Sequence, residues 1–123
     1  MSQGRIEHVN LTVTDIERVA GLFVKLLGWT QRWRGPAMNG GETMHVGDET
    51  AYLALYTDRG DHSDQAKGRP LNHVGLLVDD LDAAERVVLE HGLHPFNHGD
   101  YEPGRRFYFF DWDGIEFEVV SYV

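Results

Sequence analysis

Apolar and polar positions alternate in two short stretches of the chain. In the first, Val9, Leu11 and Val13 alternate with His8, Asn10 and Thr12. In the second, Val74, Leu76 and Val78 alternate with His73, Gly75 and Leu77. Successive strand residues point to opposite faces, so the three aliphatics of each stretch predict a packed face. Each histidine then leaves its strand on the other side. The two stretches are copies of one another. His73 stands 65 positions after His8, and Val74, Leu76, Val78 and Asp80 repeat Val9, Leu11, Val13 and Asp15. An internal repeat is read first because it sets the whole fold.

After each copy the period changes from two to that of a helix. Ile16, Val19, Ala20, Phe23, Leu26 and Leu27 form one stripe, and Gly28 follows as a helix terminator. Thr14-Asp15-Ile16-Glu17 fits a capping box, with Thr14 as N-cap and Glu17 reaching back. Strands are predicted at 29–34, 43–46 and 51–57, with a Gly-rich loop at 35–41 and a turn at 47–49. Residues 58–70 are polar and read as a linker. The second copy predicts a helix over about 81–91, with Leu81, Ala84, Val87 and Val88 inward and Gly92 closing it. Strands follow at 93–96, 106–110 and 115–122, around a loop at 98–104 and a turn at 111–114. The order is βαβββ twice, an α+β class. One domain over 1–123 results, with modules at about 5–57 and 71–123.

Composition narrows the partners. The chain has 123 residues and a net charge of −9, which disfavours nucleic acid and anionic membranes. No apolar run reaches the roughly 18 residues of a membrane span, and the start lacks the apolar core of a signal peptide. There is no cysteine, hence neither a disulfide nor a thiolate site. A cytoplasmic location is the expectation.

On the closing strand, Ile115, Phe117 and Val119 take one face, and Glu116, Glu118 and Val120 the other. A carboxylate on a mostly apolar strand needs a partner. One partner is a cation: two imidazoles and a carboxylate make a triad with open positions for substrate and water. The other is an ion pair to Arg105 or Arg106.

The chain resembles the vicinal oxygen chelate superfamily, which includes glyoxalase I, bleomycin-resistance proteins, fosfomycin-resistance proteins and extradiol dioxygenases. The likeness rests on His-Val-x-Leu-x-Val-x-Asp at His8 and His73, on the repeated module, and on Phe107-Tyr108-Phe109-Phe110-Asp111-Trp112-Asp113-Gly114-Ile115-Glu116-Phe117-Glu118. It implies two modules whose curved mixed sheets enclose a cleft, often completed in a homodimer. It implies metal ligands at His8, His73 and Glu118, and a divalent ion, with Fe(II) or Mn(II) ahead of Zn(II), Ni(II) or Co(II).

The resemblance also ranks the chemistries. The fourth ligand of glyoxalase I falls on Ala54, 64 positions before Glu118, and alanine cannot ligate. The three remaining ligands match the extradiol pattern, in which a tyrosine ten residues before the glutamate falls on Tyr108. Tyr108 is then an acid or orienter, or a cleft-lining aromatic. His98 is about one residue out of register with that pattern's histidine, and proline is expected where Trp112 stands. The fosfomycin pattern expects threonine where Asn10 stands. Asn10, Tyr52, Tyr56, His98 and Arg106 are candidate contacts to a small oxygen-chelating substrate. The leading expectation is a metal-dependent enzyme, extradiol-like or a lyase. The alternative is a metal-free binding protein of the bleomycin-resistance type.

Overall fold

The computed structural model describes residues 4–37, 40–64 and 71–123. Met38, Asn39 and part of the predicted linker lie outside the described residues. The chain forms two compact units, Met1–His62 and Ser63–Val123. Each repeats one plan.

In the first unit, β1 (His8–Thr12) leads into α1 (Ile16–Leu27), then β2 (Thr30–Pro36), β3 (Glu42–Gly47) and β4 (Tyr52–Thr57). The sheet order is β1-β4-β3-β2, with β1 parallel to β4 and the other pairs antiparallel. In the second unit, β5 (Val74–Leu77) leads into α2 (Leu81–Glu90), then β6 (Phe96–Tyr101), β7 (Gly104–Phe110) and β8 (Glu116–Ser121). Its order is β5-β8-β7-β6, again with only the first pair parallel. The α+β class and the two βαβββ modules are therefore observed.

Each helix covers one face of its own sheet. Under α1, Val13, Leu22, Phe23, Val46 and Leu55 are fully buried. Under α2, Val88, Phe107, Phe109, Phe117 and Val119 are fully buried, and the rings of Phe109 and Phe117 stack at 5.4 Å. Full burial of one such side chain stabilises by roughly 1.5–3 kcal/mol, so these clusters hold the sheets in register. The uncovered face of each sheet is left for other work.

Two predicted details are corrected. Asp15, not Thr14, caps α1: its side chain accepts from the Arg18 amide at 3.1 Å. Thr14 is engaged elsewhere, its hydroxyl accepting from the His62 amide at 2.8 Å and its carbonyl from the Thr57 hydroxyl at 3.2 Å. The sixth strand is not 93–96 followed by a loop; it runs Phe96–Tyr101. Its register slips between Phe96 and Gly99, where Asn97 takes a positive φ of 53°. That bulge and a polar sequence hide an edge strand from a periodicity reading. Gly28 closes α1 as predicted, in the left-handed conformation at φ 68°.

Candidate functional site

The uncovered face of the second unit gathers charge. Gly75 and Tyr108 flank Glu118 in the sheet register. Gly75 has no side chain, and a Cβ built there would meet nothing within 4 Å, so the flank of Glu118 on that side is open. His73 precedes β5 and turns its Nε2 to within 3.1 Å of Glu118 Oε1. Its Nδ1 lies 2.8 Å from Asn72 Oδ1 and 4.0 Å from Glu116 Oε2. The other carboxylate oxygen of Glu118, Oε2, accepts from Arg106 Nη1 at 2.9 Å. Glu118 is thus placed between an imidazole and a guanidinium. The ion pair to Arg106 is the partner foreseen among the alternatives for this carboxylate, and β8 is an inner strand rather than an edge.

Rings border this cluster. Tyr108 meets His73 edge-on at 5.7 Å, and Phe96 stacks on Phe110 at 5.2 Å. Burial, and then the Glu118 carboxylate, push the Tyr108 phenol above its ordinary value, so it keeps its proton at neutral pH.

The uncovered face of the first unit is built from rings instead. Ala54 lies between Asn10 and His45 in the register, the place that Glu118 holds between Gly75 and Tyr108. Around it runs a row of contacts: Trp33 to His45 at 5.0 Å, His45 to Tyr52 at 4.4 Å and Tyr52 to His8 at 4.9 Å. These spacings follow the distance between neighbouring strands, so the rings stand side by side across the sheet. The Arg32 guanidinium lies 4.5 Å from the Tyr52 ring centre. Glu7 Oε1 lies 3.0 Å from His8 Nδ1, and that contact holds the Glu7 carboxyl below its usual range. Desolvation lowers the His45 imidazole.

The expected site residues are therefore distributed as follows. His73, Glu118, Tyr108 and Arg106 come together on the second unit. His8, Asn10, Tyr52 and Tyr56 share the uncovered face of the first. His98 stands apart: its Nε2 lies 3.0 Å from Glu85 of α2, and its ring contacts buried Phe107 on the helix side of the sheet. Sequence reasoning passed over Arg32 and gave Glu116 no role in the site. Glu116 was signalled by strand alternation, which puts it on the face of Glu118. The ring row becomes visible only once the strand order brings β1 beside β4. Within either unit, no group of three His, Asp or Glu side chains among the described residues is disposed to hold a metal ion.

The donor set of the second unit nonetheless suits a divalent ion. Two ligands at about 2.0–2.2 Å from one metal, on adjacent vertices, stand roughly 3.0–3.5 Å apart. His73 Nε2 and Glu118 Oε1 are separated by 3.1 Å. In the tautomer whose Nδ1–H donates to Asn72, Nε2 turns a lone pair toward the carboxylate. Two acceptors so close need a cation, a proton or a metal, between them. An outer hydrogen bond that fixes the tautomer is the usual support of a ligating histidine.

The model of the Glyoxalase/Bleomycin resistance protein/Dioxygenase superfamily matches residues 5–119. The chain belongs to this superfamily. Solved structures of the superfamily fold agree. A glyoxylase/bleomycin resistance protein/dioxygenase domain from Frankia sp. EAN1pec superposes with TM-score 0.82 at 24% identity, covering 98% of each chain. The fosfomycin resistance protein FosX from Mesorhizobium loti gives 0.75 at 21% identity, covering 98% of this chain and 92% of that one. A glyoxalase I mutant from Zea mays gives 0.76 at 23% identity over 94% of this chain and 45% of that longer one. These likenesses are of fold. No curated protein matches the chain. Among the described residues, no helix of this superfamily member is long and apolar enough to cross a membrane.

Proposed function

We propose that this superfamily member is a divalent-metal-dependent enzyme, extradiol-dioxygenase-like or a lyase, acting on a small oxygen-chelating substrate. His73 and Glu118, with His8 as the third donor, hold the ion. The observation that carries the reading is the 3.1 Å approach of His73 Nε2 to Glu118 Oε1, with Asn72 Oδ1 2.8 Å from the other ring nitrogen. A related FosX from Listeria monocytogenes has been solved with Mn(II) and a dihydroxypropylphosphonic acid, which is the kind of ion and oxygen-rich ligand the reading requires. The ion, when bound, supplies Lewis acidity toward substrate oxygens.

The chain's own groups do the rest. Tyr108 keeps its proton and donates it, as a hydrogen bond or outright, to a substrate oxygen. Asn10, Tyr52 and Tyr56 shape the contacts offered by the first unit, and the active form is a homodimer. With Ala54 in place of a fourth carboxylate, no second base is available there, which argues against glyoxalase I chemistry. A second reading, a metal-independent ligand-binding protein, is favoured by the ring row of the first unit.

The test is elemental analysis of protein purified anaerobically without chelator, alongside His73→Ala and Glu118→Ala. Near one equivalent of iron or manganese per chain, lost in both variants, is the expected result. No metal, and no uptake of added Fe(II), Mn(II) or Zn(II), sinks the enzyme reading and leaves the binding protein.

A further inference from the structure

Glu118 already has a cation. Arg106 stands beside Val120 in the register and reaches diagonally to Glu118. Its Nη1 donates to Glu118 Oε2 at 2.9 Å, and its Nη2 to the Gly104 carbonyl at 3.1 Å. The Tyr101 ring covers the guanidinium at 4.5 Å. The two side chains are only 12% and 13% exposed, so solvent screens the pair little. Nε of Arg106 is buried without a partner. The guanidinium is therefore fixed by its two Nη contacts and the ring, and its charge stays beside the carboxylate.

We propose that Arg106 is a positioning residue that limits the grip of Glu118 on a metal ion. The inference rests on the metal reading above. With Oε2 held by the guanidinium, Glu118 offers one oxygen, Oε1, and ligates through that atom alone. The fixed positive charge one hydrogen bond away repels a dication. Preorganisation and charge thus act in opposite senses: Arg106 aims Oε1 at His73 Nε2 and at the same time weakens binding, which keeps the ion exchangeable. A lysine keeps the charge but offers a point rather than a fork. A glutamine keeps a donor for Oε2 and removes the charge.

Mn(II) affinity, read by electron paramagnetic resonance on the full chain, tests this. Arg106→Gln binds Mn(II) at least tenfold more tightly than the unaltered chain, Arg106→Lys stays within about threefold of it, and His73→Ala binds least. Circular dichroism reports that each variant is folded. A folded Arg106→Gln with equal or weaker Mn(II) affinity overturns the inference while leaving the metal reading intact. If the unaltered chain takes up no Mn(II), uptake gained by Arg106→Gln supports the inference; none in either overturns it, and the metal reading is then decided by Fe(II) and Zn(II) uptake. Should Arg106→Gln not fold, Zn(II) titration of the unaltered chain decides. The Arg106 side-chain N–H resonances shift on saturation if the guanidinium shares Glu118 with the ion. Arg106 signals that stay fixed while the His73 ring signals move overturn it.

Discussion

The first unit carries Ala54 where the second carries Glu118, and the exchange spreads to the neighbours. Beside Ala54 the parallel strand supplies Asn10 and the antiparallel one His45; beside Glu118 they supply Gly75 and Tyr108. Where the central residue is small, its flank is a large polar side chain and rings close over it. Where the central residue is a carboxylate, its flank is glycine and an arginine neutralises it. The helix-facing sides hardly differ in kind, both being aliphatic and aromatic. The repeat therefore preserves what the packed face requires and lets the uncovered face diverge.

The comparison is broken most forcefully by removing the carboxylate. Glu118→Ala leaves the Arg106 guanidinium buried without its anion. Losing one partner of a buried pair costs about 3–5 kcal/mol. Urea unfolding should show a lower midpoint, and the double variant Glu118→Ala with Arg106→Met should recover much of the loss. Equal stability of the single and double variants would mean that the pair contributes orientation and no energy.

The converse change is Ala54→Glu. Ala54 is 2% exposed; Arg34 is bound to Glu17 and Glu42, and the Arg32 guanidinium lies over the Tyr52 ring. A carboxylate there is desolvated, and with Arg32 held on the Tyr52 ring a cost of about 2–4 kcal/mol is expected. Its carboxyl should titrate well above the usual range, as carbon-13 NMR of the labelled side chain would read. A normal titration with unchanged stability would show that the first unit can host the charge, and the two faces would then be interchangeable.

The turns that join the last two strands of each unit sharpen the contrast. In the first, Asp48 Oδ1 accepts from the Thr50 and Ala51 amides, and those bonds hold its carboxyl below 3.8. In the second, Asp111 Oδ1 accepts from the Asp113 and Ile115 amides in the same manner. Yet Asp111 is buried with Oδ2 unpartnered, and desolvation pushes it from 3.8 up to about 6. The signs are opposite. The contribution of Asp48 is present above its unfolded value and is lost as pH falls below about 4. That of Asp111 is full below about 4 and is lost as pH rises through about 6. Asp111→Asn keeps the accepting oxygen and removes the charge, so it should stabilise the chain at pH 7 by about 1–2 kcal/mol and leave it unchanged near pH 4. Thermal melts from pH 4 to 7 would show the gap opening with pH; a constant gap would mean Asp111 titrates normally.

How much of this was legible beforehand follows the same division. The packed faces repeat with a fixed period, so Val9, Leu11 and Val13 announce Val74, Leu76 and Val78. The helices and the equivalence of Ala54 with Glu118 were readable for that reason. The diagonal reach of Arg106 was only one of two options, because residue spacing does not say which arginine crosses the strand gap. His98 and the ring row escaped for a related cause. A bulge after Phe96 turns His98 toward α2, and Trp33, His45, Tyr52 and His8 come from four strands whose order a linear pattern does not contain.

The helix caps set the lower limit of the comparison. Asp15 accepts from the Arg18 amide at 3.1 Å and Asp80 from the Ala83 amide at 3.0 Å, so both copies use one aspartate for one orphan donor. The repeat also predicts equal energies. Asp15→Ala and Asp80→Ala should each cost about 1 kcal/mol, the usual worth of such a cap. Chemical denaturation of the two single variants checks the sizes. A cost confined to Asp15→Ala would be informative in its own way. Helix α1 has 12 residues and α2 has 10, and packing on β7 and β8 would then suffice to form the shorter helix without its cap. Matching costs would instead show that divergence between the two units stops at the uncovered faces and the turns.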